Sequence, residues 1–304
     1  MKFFIKPKSP FDFDLVASLY SRFPVQCVDL YEKGTYRRVL AVDGKYCLIE
    51  VTSVGSVKLP KLAVKVSPPV GKERFIKEKV KWLVGADEDV LKFYWLASGK
   101  KNFKRLIDEL YGLRAPKTAT VFEALIIAIT EQQIALPVAI ALRKRLVEKY
   151  GNSIKTNHKD YFAFPTPEQL AKAQSEEVRQ LKFSSRKADY LINVSRKVAA
   201  GEIDLEAMKN WPVEKVLDVL TRIKGIGPWT VEYMMCRGMG RYDALPAGDM
   251  GLRAAVTKYL GKKERVSEKE VRKLLKPFGK YQGKAAFYLI YSYAFQKYPQ
   301  ERLL

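Results

Sequence analysis

Cysteine and histidine are scarce in this chain, and their scarcity excludes several kinds of site. The 304 residues include three cysteines and one histidine. Cys27, Cys47 and Cys236 are scattered through apolar or strand-like sequence, so they cannot form the four-cysteine pattern of a zinc or iron–sulfur site. His158 lies in the polar stretch GNSIKTNHKD, which is typical of a loop. We therefore predict buried free thiols and no chemistry that needs a histidine base or several histidine ligands.

Long apolar runs are also missing. No run of roughly 18 apolar residues is free of charged side chains, so the sequence predicts no membrane span. The first residues, MKFFIKPKSPFDFD, are basic and then aromatic, and they lack the apolar core and cleavage site of a signal peptide. We expect a cytoplasmic protein, associated with the nucleoid if the source is prokaryotic, and no membrane partner.

Acidic residues are few relative to basic ones. Fifty-five Lys and Arg face 33 Asp and Glu, which gives a formal net charge of +22. A field of this sign attracts polyanions, of which nucleic acid is the usual one. Solubility or a heat-adapted, charge-rich surface would also explain the excess. The charge favours a nucleic-acid partner over these alternatives.

The pattern of residue types along the chain changes near residue 86. Residues 1–85 carry β-branched and aromatic segments separated by turn signals, which predict an N-terminal antiparallel sheet domain with one helix at residues 13–23. Residues 86–304 show helical periodicity and predict a mostly helical core. The predicted fold class is therefore α+β. Within the core we expect a buried helix followed by a second one, with the break near Glu131 to Pro137, and helix caps at Thr166 and Ser175.

The stretch RIKGIGPWTVEYMM, residues 222–235, predicts two helices joined by a very tight hairpin at residues 224–228. Gly225 and Gly227 permit a left-handed or crowded backbone and the close approach of another backbone. Pro228 suits the first position of the second helix, and Ile226 can point inward. The free N–H groups of that helix, beside Lys224, form an anion site that fits a phosphate diester. A simple turn between helices is the alternative.

A second feature follows in YDALPAGDMGLRAAV. Asp249 comes after Pro246-Ala247-Gly248 and directly before a predicted helix. It can be a helix N-cap, since a carboxylate accepts hydrogen bonds from the free N–H groups of the first turn. It is also placed for chemistry at the mouth of a cleft beside the hairpin. Asp243 is a competing candidate, although its neighbours indicate a structural hydrogen bond.

Together these two stretches resemble the signature of the helix-hairpin-helix DNA glycosylases. FEALIIAITEQQIALPVAIAL is similar to the buried helix and glutamine-containing loop of that family, and the N-terminal sheet resembles the extra domain of its 3-methyladenine DNA glycosylase II (AlkA-like) branch. The resemblance covers nearly the whole chain. It implies two helical subdomains that flank an active-site cleft within residues 86–304. It also implies a monomer that acts on duplex DNA carrying a damaged base.

The activity that the resemblance implies is base excision repair, in which the enzyme flips an alkylated purine out of the duplex and removes it hydrolytically. The expected bases are 3-methyladenine and 7-methylguanine, with 1-methyladenine and hypoxanthine as further candidates. Asp249 matches the catalytic aspartate of the family. An oxidised-purine (8-oxoguanine) glycosylase and a non-catalytic helix-hairpin-helix DNA-binding protein, in which Asp249 is only a cap, are the alternatives.

The resemblance also assigns residues to the base and to the DNA backbone. Trp229 and Tyr233 match aromatic positions near the extruded base, and Phe287 or Tyr291 stands where the family often has a tryptophan. Gln132 and Gln133 match the loop that wedges into the duplex, with Ile134 as another candidate for the wedge. The expected DNA-backbone contacts are Lys224, Gly225, Ile226, Gly227, Arg253 and the turn at residues 184–187. Arg253 could instead pair near Asp249.

One position separates two mechanisms. Bifunctional members of the family carry a nucleophilic lysine two residues after the second hairpin glycine, and this chain has Trp229 there. The resemblance therefore implies a monofunctional enzyme without lysine-driven strand cleavage. It implies no metal site and no cofactor, apart from a monovalent cation between hairpin carbonyls and a DNA phosphate.

Overall fold

The computed structural model describes residues 1–21, 27–156 and 158–297. Near the N-terminus, five antiparallel strands form one sheet in the order β1-β5-β4-β3-β2. Between β3 and β4, Asp43 and Gly44 have φ angles of 49° and 75°, the left-handed backbone that a two-residue hairpin requires. The strands are β1 (Lys2–Ile5), β2 (Leu30–Glu32), β3 (Thr35–Val42), β4 (Lys45–Ser53) and β5 (Leu62–Ser67).

Helices dominate the rest of the chain, so the predicted α+β fold class is confirmed. Helix α1 (Phe13–Ser21) begins where the sequence predicted, and residues 22 and 23 of that prediction lie outside the described residues. The other helices are α2 (Glu73–Val84), α3 (Leu91–Ser98), α4 (Lys101–Glu109), α5 (Val121–Glu131), α6 (Leu136–Tyr150), α7 (Pro167–Ala171), α8 (Ser175–Gln180), α9 (Ser185–Ala199), α10 (Val213–Thr221), α11 (Pro228–Gly238), α12 (Met250–Tyr259), α13 (Glu268–Leu275) and α14 (Gln282–Lys297), with 3-10 turns at Ala207–Asn210 and Lys276–Tyr281.

Local signals predicted most helix ends well. The break between α5 and α6 falls where it was expected, and every residue of α5 except its last is buried. Thr166 caps α7 in a capping box, as predicted. The prediction for Ser175 is wrong: Gln174 is the N-cap of α8, and the Ser175 hydroxyl donates to Asp189 at 2.6 Å instead. The backbone N–H of Gln174 donates to the Glu177 carboxylate at 3.0 Å, which is the contact that a glutamate at the third helical position makes with an N-cap residue.

The stretch around His158 is a hairpin and not the predicted loop. Strands β6 (Ser153–Thr156) and β7 (Lys159–Phe162) pair antiparallel, and His158 lies at their turn with a φ of 59°. The hairpin packs on the second face of the sheet through Tyr161 and Ala163, which join Val39 and Leu48 in a small apolar cluster. Burial of this short, polar hairpin against another element, which no local signal shows, stabilises it as strand.

The cysteines are free thiols, as predicted. Cys47 is fully buried, whereas Cys27 and Cys236 are half-buried. Burial raises the pKa of the Cys47 thiol to about 11, so it stays protonated at neutral pH. In the part of the chain that the structure describes, no helix is long and apolar enough to cross a membrane.

Buried apolar side chains form two large clusters, which define two lobes. The sheet lobe comprises the described residues of 1–113 and 245–297, and the helical lobe comprises residues 120–244 apart from residue 157 and the β6–β7 hairpin, which packs on the sheet. The core of the sheet lobe includes α2 and continues across residue 85 into α3 and α4. The division into domains at 1–85 and 86–304 stays a prediction.

The chain passes from the helical lobe to the sheet lobe in the segment after α11. Ala244 packs in the helical lobe, and the next residue, Leu245, packs in the sheet lobe. Trp229 is on α11 in the helical lobe, whereas Asp249 begins α12 in the sheet lobe. Any contact between these two side chains therefore crosses between lobes.

Candidate active site and hairpin

The hairpin between α10 and α11 has the backbone that its glycines predicted. Gly225 has a φ of 93°, and a Cβ on it would lie 2.3 Å from ring carbons of Tyr190. Only glycine fits here, because a side chain would meet both a strained backbone and a packed ring. Ile226 is 4% exposed and points inward, as expected, so that it packs the hairpin against the core of the helical lobe. Tyr190 was not foreseen, since nothing near it in the sequence marks its contact with a hairpin 35 residues away.

The outer side of the hairpin is open. A Cβ on Gly227 would meet no atom within 4 Å, and the Lys224 side chain is exposed. Gly227 is the N-cap of α11 and Pro228 is its first residue, so the first turn of an 11-residue helix faces the same opening. A phosphate group could approach these N–H groups without meeting a side chain, with Lys224 as the nearby positive charge.

Gln132 is held inside the protein and does not project from it. Its side-chain amide donates to the carbonyl oxygen of Gly225 and to the Thr230 hydroxyl, both at 2.9 Å. The amide thus links the end of α5 to the hairpin, and the role of Gln132 at the duplex stays a prediction. Thr230 is 2% exposed and was missed by the sequence analysis.

The exposed lip of the helical lobe begins at the next residue. Gln133 is exposed and has a φ of 56°, so the left-handed backbone turns its side chain away from α5. Ile134, Leu136 and Val138 follow with exposed fractions of 36%, 40% and 52%. An apolar lip beside a basic hairpin is suited to contact with stacked bases. Both Gln133 and Ile134 remain candidates for the wedge.

Asp249 is the N-cap of α12, as one of its two predicted roles required. Its Oδ1 accepts from the Leu252 N–H at 2.8 Å, and its Oδ2 accepts from the indole N–H of Trp229 at 3.2 Å. Burial raises the pKa of the Asp249 carboxyl, and the hydrogen bonds from Leu252, Trp229 and Gly251 oppose that rise. A half-buried carboxylate held on both oxygens is a fixed negative charge rather than a mobile one.

Trp229 and Tyr233 form an aromatic wall along α11. Their ring centroids are 5.5 Å apart with an interplanar angle of 44°, and both residues are half-buried. Burial raises the pKa of the Tyr233 hydroxyl, and a hydrogen bond to Glu131 adds to the rise. Glu131, at the end of α5, also pairs with Arg143 at 3.0 Å. The aromatic wall thus lies between the Glu131 carboxylate, which is paired with Arg143, and the Asp249 carboxylate.

Asp243 has the structural role that its neighbours indicated. The Arg241 guanidinium donates to both of its carboxylate oxygens and to the carbonyl oxygens of Lys209 and Trp211. These bonds hold the pKa of the Asp243 carboxyl below its usual range. The pair anchors the start of the segment that leads to Asp249.

Other predicted contacts have partners within the protein. The Arg253 guanidinium donates to the Val266 carbonyl at 2.7 Å, a contact within the sheet lobe. In the turn at residues 184–187, Ser184 caps α9 and Arg186 is exposed, whereas the Lys187 ammonium donates to the Thr130 carbonyl at 2.7 Å. The role of these residues at DNA stays a prediction.

The two C-terminal aromatics differ. Tyr291 is 1% exposed, and its hydroxyl donates to the Leu15 carbonyl of α1 at 2.6 Å. It packs in the core on a face of α14 that is turned toward α1, and its role at the base stays a prediction. Phe287 is half-buried against the core of the sheet lobe, and its role stays a prediction.

An ion-pair cluster lies behind the aromatic wall and was missed by the sequence analysis. Glu232, on α11, is 4% exposed, and Arg272, on α13, donates to it at 2.8 Å. Burial raises the pKa of Glu232 to about 7, although Arg272 opposes the rise. The only sequence signal is an acidic residue three places after Trp229, among the mostly apolar residues of this helix.

Within the described ranges, no group of three or more His, Cys, Asp and Glu side chains could hold a metal ion. The described side chains supply a fixed carboxylate, an aromatic wall and an anion-binding hairpin.

Comparisons with known proteins agree with this geometry. A family model described as "HhH-GPD superfamily base excision DNA repair protein" matches residues 126–280, half of the chain, including the hairpin and Asp249. The DNA-3-methyladenine glycosylase of Bacillus subtilis (strain 168) is 29% identical over 282 residues, which cover 91% of this chain and 93% of that protein.

Solved structures show the same fold over nearly the full length. The 3-methyladenine DNA-glycosylase from Archaeoglobus fulgidus superposes with a TM-score of 0.85 at 26% identity and covers 98% of this chain and 99% of its own. The 8-oxoguanine glycosylase/lyase of Clostridium acetobutylicum, in complex with dsDNA containing cytosine opposite to 8-oxoG, has a TM-score of 0.77 at 21% identity, with 97% and 98% covered. At that identity the second likeness shows the fold alone.

Proposed function

Because the chain belongs to the HhH-GPD superfamily of base excision DNA repair proteins, we propose that its substrate is duplex DNA with an alkylated purine, which it removes by hydrolysis. It is a DNA glycosylase, and its relatives are named for 3-methyladenine. The observation that carries the proposal is the contact between the Asp249 carboxylate and the Trp229 indole at 3.2 Å, which joins a fixed negative charge to an aromatic wall. 3-Methyladenine and 7-methylguanine are the expected bases, with 1-methyladenine and hypoxanthine as further candidates.

The reaction needs a base outside the helix. Rotating a nucleotide out of a duplex costs on the order of a few kcal/mol, and lesions that weaken pairing or stacking lower this cost. In this proposal Gln133 or Ile134 on the exposed lip fills the space that the base leaves. The exposed Lys224 and the open first turn of α11 hold the backbone phosphate meanwhile.

Alkylated purines suit the aromatic wall because they carry positive charge. A cation is attracted to the electron-rich faces of Trp229 and Tyr233. As the N-glycosidic bond breaks, the deoxyribose acquires oxocarbenium character, and the Asp249 carboxylate stabilises that charge. The base leaves with the bonding electrons, a water molecule adds to the sugar carbon, and the added water loses a proton to leave a hydroxyl group there. The stabilisation of the sugar cation does not require Asp249 to take a proton from this water.

The absence of a lysine at position 229 supports a monofunctional enzyme. An 8-oxoguanine glycosylase/lyase has the same fold, but the indole of Trp229 is not a nucleophile and cannot form a Schiff base with the sugar. A non-catalytic DNA-binding protein would need Asp249 only as a cap, and the second contact to Trp229 does not serve capping. The alkylated-purine glycosylase is therefore the better-supported function.

A monovalent cation at the hairpin belongs to the same proposal. Hard cations prefer oxygen ligands such as backbone carbonyls. The carbonyl of Gly225 accepts from Gln132, so a cation would use other carbonyls of the hairpin. No step of the reaction is assigned to it. We also propose a monomer that works in the cytoplasm, at the nucleoid if the source is prokaryotic.

A lesion panel tests this function. Matched duplexes would carry 3-methyladenine, 7-methylguanine, 1-methyladenine, hypoxanthine, uracil or 8-oxoguanine, and excision would be measured at enzyme excess with and without borohydride. We expect release of alkylated purines, abasic product without strand cleavage, and no covalent complex. Preferred release of 8-oxoguanine with efficient trapping would support the oxidised-purine alternative, and binding without release of any base would support the non-catalytic one.

The pH dependence of excision should report on Asp249. Because burial raises its pKa, the excision rate should fall as pH decreases through a value above the usual range of an aspartate. Trp229→Phe keeps a ring but removes the N–H donor, which raises the pKa further, so the acid limb should move to higher pH. Single-turnover rates across a pH series, with Trp211→Phe as the control tryptophan, measure this. An unmoved acid limb in the Trp229→Phe enzyme would contradict the assignment.

A further inference from the structure

One arginine of the sheet lobe contacts both the segment that leads to Asp249 and the helical lobe. Arg272 lies on α13 in the sheet lobe. Its Nη1 donates to the carbonyl oxygen of Leu245 at 3.2 Å, four residues before Asp249. The N–H of Ala247 donates to the same carbonyl at 2.7 Å, so Leu245 is a fixed point of the tight turn that leads to Asp249.

The same guanidinium reaches across to the helical lobe. Its Nη2 lies 2.8 Å from Oε1 of Glu232 and 3.1 Å from Oε2. Glu232 is on α11, three residues after Trp229, so the two side chains share a rigid helix. Arg272 also donates to Glu268 at the start of its own helix. The Glu268 carboxylate lies 3.2 Å from the position of a Cβ on Gly248, directly before Asp249.

These contacts form a closed frame around the reactive carboxylate. One side is the bond from Trp229 to Asp249, and the other is the pair of Glu232 with Arg272. Both bonds join α11 to the sheet lobe, and the tight turn from Leu245 to Asp249 links them. Two contacts fix the orientation of α11 relative to the sheet lobe, whereas a single contact would allow rotation about it.

The buried position of Glu232 indicates a role beyond surface charge. Its side chain is 5% exposed, and an isolated carboxylate is costly to bury. A leucine at this place would pack in the apolar helix without that cost, and well-packed apolar replacements of buried pairs are often as stable. What a leucine could not do is bind the one guanidinium that also holds Leu245.

We propose that Arg272, with Glu232 as its partner, is a positioning residue that holds Asp249 against Trp229 at the correct distance across the two lobes. This rests on the proposed function of Asp249. Arg272 contacts neither the base nor the sugar in this proposal; it acts through the turn at Leu245 and through α11. Loss of the pair should therefore slow bond cleavage and leave the hairpin grip on DNA intact.

The test compares Arg272→Met with Lys273→Met, which removes the same charge from the next, exposed residue of the same helix. Without Arg272 the pKa of Glu232 rises further from about 7, so its carboxyl becomes neutral and the variant can fold. Arg272→Lys restores the charge and serves as the conservative variant. Single-turnover excision is measured at saturating enzyme, and DNA affinity is measured with an uncleavable duplex.

A second readout does not depend on activity. The chain has four tryptophans, and the indole N–H signal of Trp229 in a ¹H–¹⁵N spectrum can be assigned by its loss in Trp229→Phe. That signal reports the hydrogen bond to Asp249. It should shift in Arg272→Met, shift less in Arg272→Lys, and stay unchanged in Lys273→Met.

The expected result is a cleavage rate about 10- to 100-fold lower in Arg272→Met, in line with the cost of displacing a catalytic group by about 1 Å. DNA affinity should be unchanged, and Arg272→Lys should recover part of the rate. A wild-type rate and an unshifted indole signal in Arg272→Met would overturn the inference, as would an equal loss of rate in Lys273→Met. If the wild-type enzyme released no base from any duplex, the proposed function would fail, while the indole signal would still test the frame.

Discussion

Asp249→Asn should abolish base excision while the protein still binds damaged duplex DNA with undiminished affinity. Asparagine has nearly the same shape as aspartate but no negative charge to stabilise an oxocarbenium ion. Removing one preorganised electrostatic group from an active site typically costs about 100- to 1,000-fold in rate. We expect a loss of at least this size here, because Asp249 is the carboxylate that both the α12 N–H groups and Trp229 hold in place.

The same variant should not lose stability. Asparagine caps a helix about as well as aspartate, so α12 keeps its N-cap, although the amide nitrogen cannot accept the Trp229 N–H as the carboxylate oxygen does. Burial raises the folded-state pKa of Asp249 above its unfolded value, so the folded protein binds the extra proton. Stability from this group is present below the unfolded pKa and is lost as pH rises through the folded pKa. At pH 7 the ionised carboxylate is therefore a cost, and Asp249→Asn should melt at the same temperature or higher.

Asp243→Asn is the matched control, since it makes the same change six residues earlier. Asp243 pairs with Arg241, so this variant should excise normally and lose roughly 1 kcal/mol of stability, as a partly exposed ion pair does. Single-turnover excision, binding to an uncleavable duplex and thermal unfolding at pH 7 measure the three properties. If Asp249→Asn excised normally and Asp243→Asn did not, the two roles would have to be exchanged.

Features that depend on neighbouring residues could be predicted from the sequence. The hairpin needs Gly225 at a left-handed φ and Pro228 at a helix start, and both requirements act within a few residues. The N-cap at Asp249 is local in the same sense. The family match over residues 126–280 confirms the resemblance that these two stretches carried. The β-branched and aromatic segments, with turn signals between them, predicted the sheet in the same way, and strands such as β5 lie in those segments.

Features that depend on distant partners could not be predicted. Gln132 was placed at the duplex, but its amide binds Gly225, 93 residues away. Tyr291 was placed at the base, but its hydroxyl binds Leu15 at the other end of the chain. A glutamine or tyrosine side chain can face solvent or the core, and its own neighbours do not decide which. Tertiary packing decides, and it also forms the pair of Glu232 and Arg272 from two unremarkable helix positions.

Arg38→Met should destabilise the protein by about 3–5 kcal/mol, the usual cost of removing one partner from a buried ion pair. Arg38 lies on β3 and is 2% exposed. It donates to both carboxylate oxygens of Asp29, at 2.8 and 2.9 Å, and to Glu123 in the first turn of α5. The Glu123 side chain is 3% exposed, so methionine would leave a buried carboxylate without its cation.

Arg37→Met is the control on the same strand. Arg37 pairs with Glu50 at 3.1 Å, and both side chains are more than a fifth exposed, at 23% and 22%. A pair with this access to solvent contributes about 0–1 kcal/mol. Urea unfolding of the two variants measures the difference directly, and an Arg38→Met protein as stable as Arg37→Met would contradict the importance of the buried pair.

The double variant Arg38→Met/Glu123→Gln separates two origins of the cost. Glutamine keeps an oxygen that can accept from the Ala119 N–H, as Glu123 does at 3.1 Å, but it carries no charge. If the orphaned carboxylate is the main penalty, the double variant should recover much of the loss.

Excision should persist in both variants below their unfolding temperatures, because α5, which brings Gln132 to the hairpin, is buried along ten of its residues in apolar packing that Arg38 does not provide. Loss of excision in a folded Arg38→Met protein would instead mean that the brace at one end of α5 sets the position of Gln132 at the other, about 15 Å away at ~1.5 Å per residue.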